Sequence, residues 1–210
     1  MSPSAPVPGA AAPHGRRRRR SPEVAEREIV AAAEALLRER PFRELTVDEV
    51  MRRTGLSRPS FYVYFRDRNH LVLRVVEHLG SELRAMADRW YKGEGDGPTL
   101  VRAACEGVAA VYAEHGAVLR ALADAAVHDT EVEAAYGSLI QSFVEVTAEH
   151  IEREMAAGRI LPLDADETAK ALVWMNERYL THSLGREPGT DPAVVVDTLA
   201  TVWSRVLYDG

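Results

Sequence analysis

The 210-residue sequence holds a single cysteine, Cys105. That excludes a disulfide framework and any cysteine-built zinc or iron–sulfur cluster. Long apolar runs are missing too. Past the first 20 residues, the longest uncharged stretch is Ala134 to Val144. It falls far short of the roughly 20 residues that a spanning helix needs. The first 15 residues are uncharged but rich in proline, alanine and glycine, and the arginines follow them instead of leading. This order matches neither a secretory nor a twin-arginine signal, so a cytoplasmic protein is expected.

Other signatures are equally scarce. No alternating β-branched run is long enough for a strand, and no internal repeat stands out. There is no glycine-rich phosphate loop of the P-loop or dinucleotide type. No nucleophile elbow or other catalytic signature is present. The seven histidines form no ligand set. Asp124/His128 and His150/Glu154 are spaced four apart and read as surface pairs, since two ligands do not define a metal site. Cys105 sits in an apolar segment and reads as a small core residue. No cofactor is expected.

What the chain does have is an uneven charge. The net value of −6 argues at first against nucleic acid. Residues 1–66 carry 13 basic and 8 acidic residues, a balance of +5, and residues 67–210 carry the remaining balance of −11. A basic front on an acidic body implies two surfaces with different partners.

Residues 1–20 read as a flexible arm, with Pro3, Pro6, Pro8 and Pro13 ahead of Arg16 to Arg20. From Ser21 the pattern is helical almost throughout. Ser21-Pro22 is an N-cap followed by proline at the first helical position. Ile29, Ala32, Ala33, Leu36 and Leu37 form one apolar stripe, and Pro41 should stop the helix near Arg40. Thr46-Val47-Asp48-Glu49 reads as a capping box, with Thr and Glu satisfying backbone donors reciprocally. Gly55 ends that second helix, Ser57 can cap a third, and Asp67 a fourth that runs to about Tyr91. After the linker Lys92 to Pro98, helices are expected near 98–113, 116–127, 131–156, 165–184 and 192–207. Thr130, Asp164 and Asp191 are the start signals of the last three.

Val47 to Phe65 is the informative segment. Two short helices flank a turn in which Gly55 can take the left-handed conformation without penalty. Val50, Leu56, Phe61 and Tyr64 fall where a helix-turn-helix needs apolar or partly buried side chains. The second helix would enter the DNA major groove. Arg58 can fork onto a guanine edge. Ser60, Tyr62 and Tyr64 offer hydroxyls, and Thr46 with the free N–H groups of its helix can hold a phosphate. A surface helical hairpin with ordinary aromatic packing is the competing reading.

The run Leu45-Thr46-Val47-Asp48-Glu49-Val50, then Thr54-Gly55-Leu56-Ser57-Arg58-Pro59-Ser60-Phe61-Tyr62-Val63-Tyr64-Phe65 and Leu71, resembles the DNA-binding region of TetR/AcrR-type bacterial repressors. Met175-Asn176-Glu177-Arg178 and Asp197-Thr198-Leu199, with Trp203 and Tyr208, extend the likeness toward mycobacterial repressors of the ethionamide-resistance type. The resemblance implies an all-α homodimer. Residues 21–66 would be a three-helix DNA-binding domain, and residues 67–210 a larger ligand-binding domain that dimerises through its last two helices. Matched by position, the DNA contacts fall on Thr46, Arg58, Pro59, Ser60, Tyr62, Tyr64 and Arg68. Met51 departs from the family by standing where a small residue is usual. Asp67-Arg68-Asn69 also replaces the usual opening of the fourth helix.

The expected partners are double-stranded operator DNA and a small apolar effector. Tyr136, Leu139, Ile140, Phe143, Thr147, Ile151 and Met155 share one helical face, and Leu172, Val173, Asn176, Tyr179 and Ser183 lie roughly along another. The candidate ligand-binding residues are Tyr136, Phe143, Thr147, Trp174, Asn176, Tyr179 and Trp203. Asn176 interrupts an apolar face, and by resemblance it would anchor the ligand. A second asparagine of the related repressors is replaced here by Val173, so the ligand would have one polar partner fewer. Plain core packing, an all-helical enzyme and a protein adaptor are the alternatives.

Overall fold

The computed structural model describes residues 21–208, so the arginine run at 16–20 lies outside the described residues. The first helix, α1 (Pro22–Glu39), starts where Ser21 Oγ accepts a hydrogen bond from the Val24 N–H, with Pro22 at the first position. It ends at Arg40, whose extended backbone is the conformation that the residue before a proline favours. Ile29, Ala33, Leu36 and Leu37 bury its apolar stripe.

A short 3-10 turn (Phe42–Glu44) leads to α2 (Val47–Thr54). The Thr46 hydroxyl accepts from the Glu49 N–H at 3.3 Å, as a cap should. The reciprocal half of the capping box is absent. The Glu49 carboxylate instead takes the Thr46 hydroxyl and the Arg40 guanidinium. A nearby cation outcompetes the backbone donor for a carboxylate. Gly55 follows at φ +65°, a left-handed conformation that any other residue would occupy at a cost. Then comes α3 (Arg58–Tyr64), and α4 (Arg68–Tyr91), where Asp67 accepts from the His70 N–H at 2.8 Å.

The two helices expected over 98–113 and 116–127 are one, α5 (Gly97–Ala126). Gly116 does not break it. A Cβ at Gly116 would stand 2.5 Å from the Leu184 carbonyl oxygen, so the missing side chain serves a close approach between helices. The rest are α6 (Thr130–Ala156), α7 (Ala165–Leu184) and α8 (Pro192–Leu207). α6 is capped one residue earlier than the sequence pattern suggests. Asp129, not Thr130, accepts from the N–H groups of Glu131 and Val132. Asp164 and Asp191 cap α7 and α8 as expected. No strand occurs among the described residues.

α5 is the axis of the molecule. It packs on α4, α6, α7 and α8, and also on α1. One continuous apolar core runs from Ile29 through Phe61, Leu79 and Leu122 to Leu207. Each fully buried Leu, Ile or Phe contributes about 1.5–3 kcal/mol by leaving water.

A candidate DNA interface and an internal cavity

The segment from α2 to α3 has two opposed faces. Val50, Phe61 and Phe65 are buried, and the two Phe rings meet at 5.3 Å. Met51 is buried with them. Arg58, Pro59, Tyr62 and Val63 are exposed, and Ser60 and Tyr64 are half-buried. Arg58 reaches back to the Asp48 carboxylate at 3.2 Å. Both side chains stand in water, where such a pair is weak and easily exchanged for another anion. Ser57 places its hydroxyl 2.8 Å from that of Ser60 and does not cap α3. Thr46 is exposed at the start of α2.

Arg68 sits differently from the other candidate contacts. Its guanidinium donates to the carbonyl oxygens of Arg43 and Leu45 and lies 4.8 Å from the Phe42 ring centre. It ties the start of α4 to the link between α1 and α2.

A seam joins this front to the body. His115 of α5 is buried, with its Nδ1 3.0 Å from Arg38 Nη2 and 3.9 Å from Glu34 Oε2, both on α1. Its Nε2 lies 3.5 Å from Glu82 of α4. Burial raises the Glu34 carboxyl above the ordinary glutamate range.

Behind the seam lies a cavity of about 100 Å³, walled by residues of α4, α5, α6, α7 and α8. Tyr136, Phe143, Asn176 and Trp203 line it, with Trp90, Tyr91, Cys105, Tyr112 and Glu177 beside them. Asn176 is already engaged, since its Oδ1 accepts from Trp203 Nε1 at 2.9 Å. Three candidate residues do not line the cavity. Thr147 is fully buried, with its hydroxyl 2.9 Å from that of Tyr91. Trp174 is 48% exposed, and Tyr179 is half-buried away from the lining. Helical phase explains the last two. Val173, Asn176, Glu177 and Leu180 form the inward stripe of α7, and positions 174 and 179 lie about 100° to either side of it.

The missed lining residues on α5 follow the same period: Val101, Ala104, Cys105, Val108 and Tyr112. Burial pushes the Cys105 thiol up to about 12, which leaves it protonated and unreactive. Glu177 is the polar residue that sequence reasoning passed over. It is 4% exposed and accepts hydrogen bonds from Tyr136 and Thr181.

The pair His150 and Glu154, expected on the surface from its spacing, is buried. The His150 ring packs 4.1 Å from that of Trp90, and burial lowers its basicity. Glu154 is held by two hydrogen bonds from Arg159, which depress its carboxyl. Among the described residues, no group of three or more His, Cys, Asp or Glu side chains is placed to hold a metal ion. No helix there is long and apolar enough to cross a membrane.

These two features agree with what the chain resembles. Residues 29–75 match the family model for bacterial regulatory proteins of the tetR family, and residues 101–209 match the model for the C-terminal domain of the transcriptional regulator EthR. The HTH-type transcriptional regulator EthR of Mycobacterium tuberculosis is 35% identical over 208 residues, covering 95% of this chain and 94% of that protein. EthR of Mycolicibacterium smegmatis is 30% identical, covering 93% and 92%. Among solved structures, a TetR-family transcriptional regulator from Syntrophomonas wolfei superposes with a TM-score of 0.76 at 12% identity, over 88% of this chain and 95% of that one, a likeness of fold alone. Membership of a family of regulators sets aside the enzyme and adaptor alternatives. The chain belongs to the TetR family of bacterial DNA-binding transcriptional regulators, with a C-terminal domain of the EthR type.

Proposed function

We propose that the chain works in the cytoplasm as a homodimeric repressor, with residues 21–66 reading operator DNA and residues 67–210 receiving a small effector. The observation that carries this reading is the geometry of α4. Its first turn follows directly on α3, with His70 against the Phe65 ring and Arg68 gripping the α1–α2 link, and its far end supplies Leu83, Ala87, Trp90 and Tyr91 to the cavity wall. A helix of 24 residues is about 36 Å long, so a small tilt at the cavity end displaces the reading helix. Two recognition helices must sit one DNA turn or a multiple of it apart, and a shift of a few ångströms spoils that fit. The effector acts by binding the two arrangements unequally.

Arg58, Pro59, Ser60, Tyr62 and Tyr64 are the proposed groove-facing contacts, with Thr46 and Arg68 flanking them at the phosphates. Tyr136, Phe143, Asn176 and Trp203 are the proposed effector contacts. For dimerisation we favour the outer faces of α7 and α8, where Trp174, Val194 and Val206 leave large apolar side chains in solvent.

Selection of bound sequences from random double-stranded DNA tests the reading. The expected product is an inverted repeat whose half-sites are about one helical turn or a multiple apart, with affinity that falls steeply with salt. Recovery of no sequence preference would sink it.

A further inference from the structure

The cavity contains a carboxylate that its surroundings do not balance. Glu177 lines the cavity at 4% exposure. Its Oε1 accepts from the Tyr136 hydroxyl at 2.9 Å and from the Thr181 hydroxyl at 3.2 Å. Its Oε2 is buried and has no hydrogen-bond partner. The nearby cation is Arg178, whose Nε stands 3.8 Å from Oε2, beyond hydrogen-bond reach, on a side chain that is 74% exposed. A guanidinium so well hydrated neutralises a buried charge only weakly. Burial keeps Tyr112 and Tyr136 as neutral phenols, so they offer hydroxyl donors but no positive charge. Most of the remaining wall is apolar, including Leu83, Val108, Leu119, Ile140 and Leu180.

A buried carboxylate short of donors is costly, and an unsatisfied oxygen in a native fold calls for a missing partner. The geometry points to an effector with a small apolar body and a positively charged, hydrogen-donating nitrogen that pairs with Glu177. The terminal torsion of a glutamate is soft, so the carboxylate can turn an oxygen toward a donor arriving through the cavity. Asn176 is less suited to select the nitrogen, because its acceptor oxygen is already taken by Trp203. An effector of this class is narrower than the purely apolar one that the sequence suggests. The assignment rests on the cavity being the effector site.

Three probes of matched length separate the possibilities: n-hexylamine, n-hexanol and n-hexanoate. Each is titrated calorimetrically into the full-length protein and into Glu177→Gln, and release of operator DNA is measured in parallel. The expected order is amine first by at least tenfold over the alcohol, with the carboxylate weakest. In Glu177→Gln the amine-to-alcohol ratio should fall below twofold. Equal binding of amine and alcohol by the unaltered protein overturns the assignment, as does binding of none of the three. A preference for the amine that survives Glu177→Gln overturns it as well. Should that variant fail to fold, the ratio in the unaltered protein decides alone. Glu177-dependent amine binding that leaves operator DNA bound would uphold the ligand chemistry and overturn the effector reading of the cavity.

Discussion

The two halves of the molecule are built inside out with respect to each other. In the α2–α3 region the chemistry faces outward: Arg58 and Tyr62 stand in solvent, and the buried side is apolar, with Val50, Phe61 and Phe65. In the body the polar chemistry faces inward. Glu177, His150, Thr147 and Thr181 are buried, whereas Trp174, Val194 and Val206 are left outside. The contrast follows from what each half must recognise. DNA is a large, hydrated polyanion that can only be met at a surface. A small molecule is held best where water is excluded and a few polar groups converge.

The inside of the front half should be the least tolerant place. Phe61 is fully shielded and touches both Tyr62 and Phe65. Phe61→Ala is expected to cost about 3–5 kcal/mol of stability. Urea denaturation measures it, and a loss under 1 kcal/mol would mean that α3 is held from elsewhere. The outside of the same helix should behave oppositely. Arg58→Ala removes an exposed pair with Asp48 and a solvent-facing interaction with Tyr62, so stability stays within about 0.5 kcal/mol. Specific DNA affinity should drop by about 10- to 100-fold, the worth of one good base contact. A gel shift on the selected site against random DNA checks it. An equal loss on both would make Arg58 a phosphate contact instead.

The same contrast explains how much could be read from the sequence. The DNA face is contiguous: Arg58 to Tyr64 is one short helix, so spacing alone displays its two sides. The cavity is assembled from positions as distant as Leu83 and Trp203 on five helices. Periodicity finds the apolar stripe of each helix but not which stripes converge. Hence Tyr136 and Phe143 were found, whereas Trp90 and Tyr112 were not. Trp174 is a candidate by its side chain and neighbours, although one residue of helical phase turns it to solvent. The continuity of α5 is hidden for a related reason, because Gly116 shows its role only once Leu184 of the partner helix approaches it. Glu177 escaped notice because a charged residue on a mixed helix face is normally solvated. Only the hydroxyls of Tyr136 and Thr181, contributed by α6 and the next turn of α7, show that it is enclosed.

A milder change tests whether the inward chemistry is separable from the outward. Asn176→Ala removes the acceptor for Trp203 Nε1 and widens the cavity next to Trp90, whose ring meets that of Trp203 edge-on at 5.4 Å. It also removes a proposed contact to the effector, and one net hydrogen bond there is worth about 1 kcal/mol, close to fivefold in an equilibrium constant. Nothing on α3 or at the His115 seam depends on Asn176, so operator affinity without effector should stay within about twofold. The effector concentration needed to release DNA should rise about fivefold. A change confined to operator affinity, with release unaltered, would show that the two halves share this residue and would break the division between an outward reader and an inward receiver.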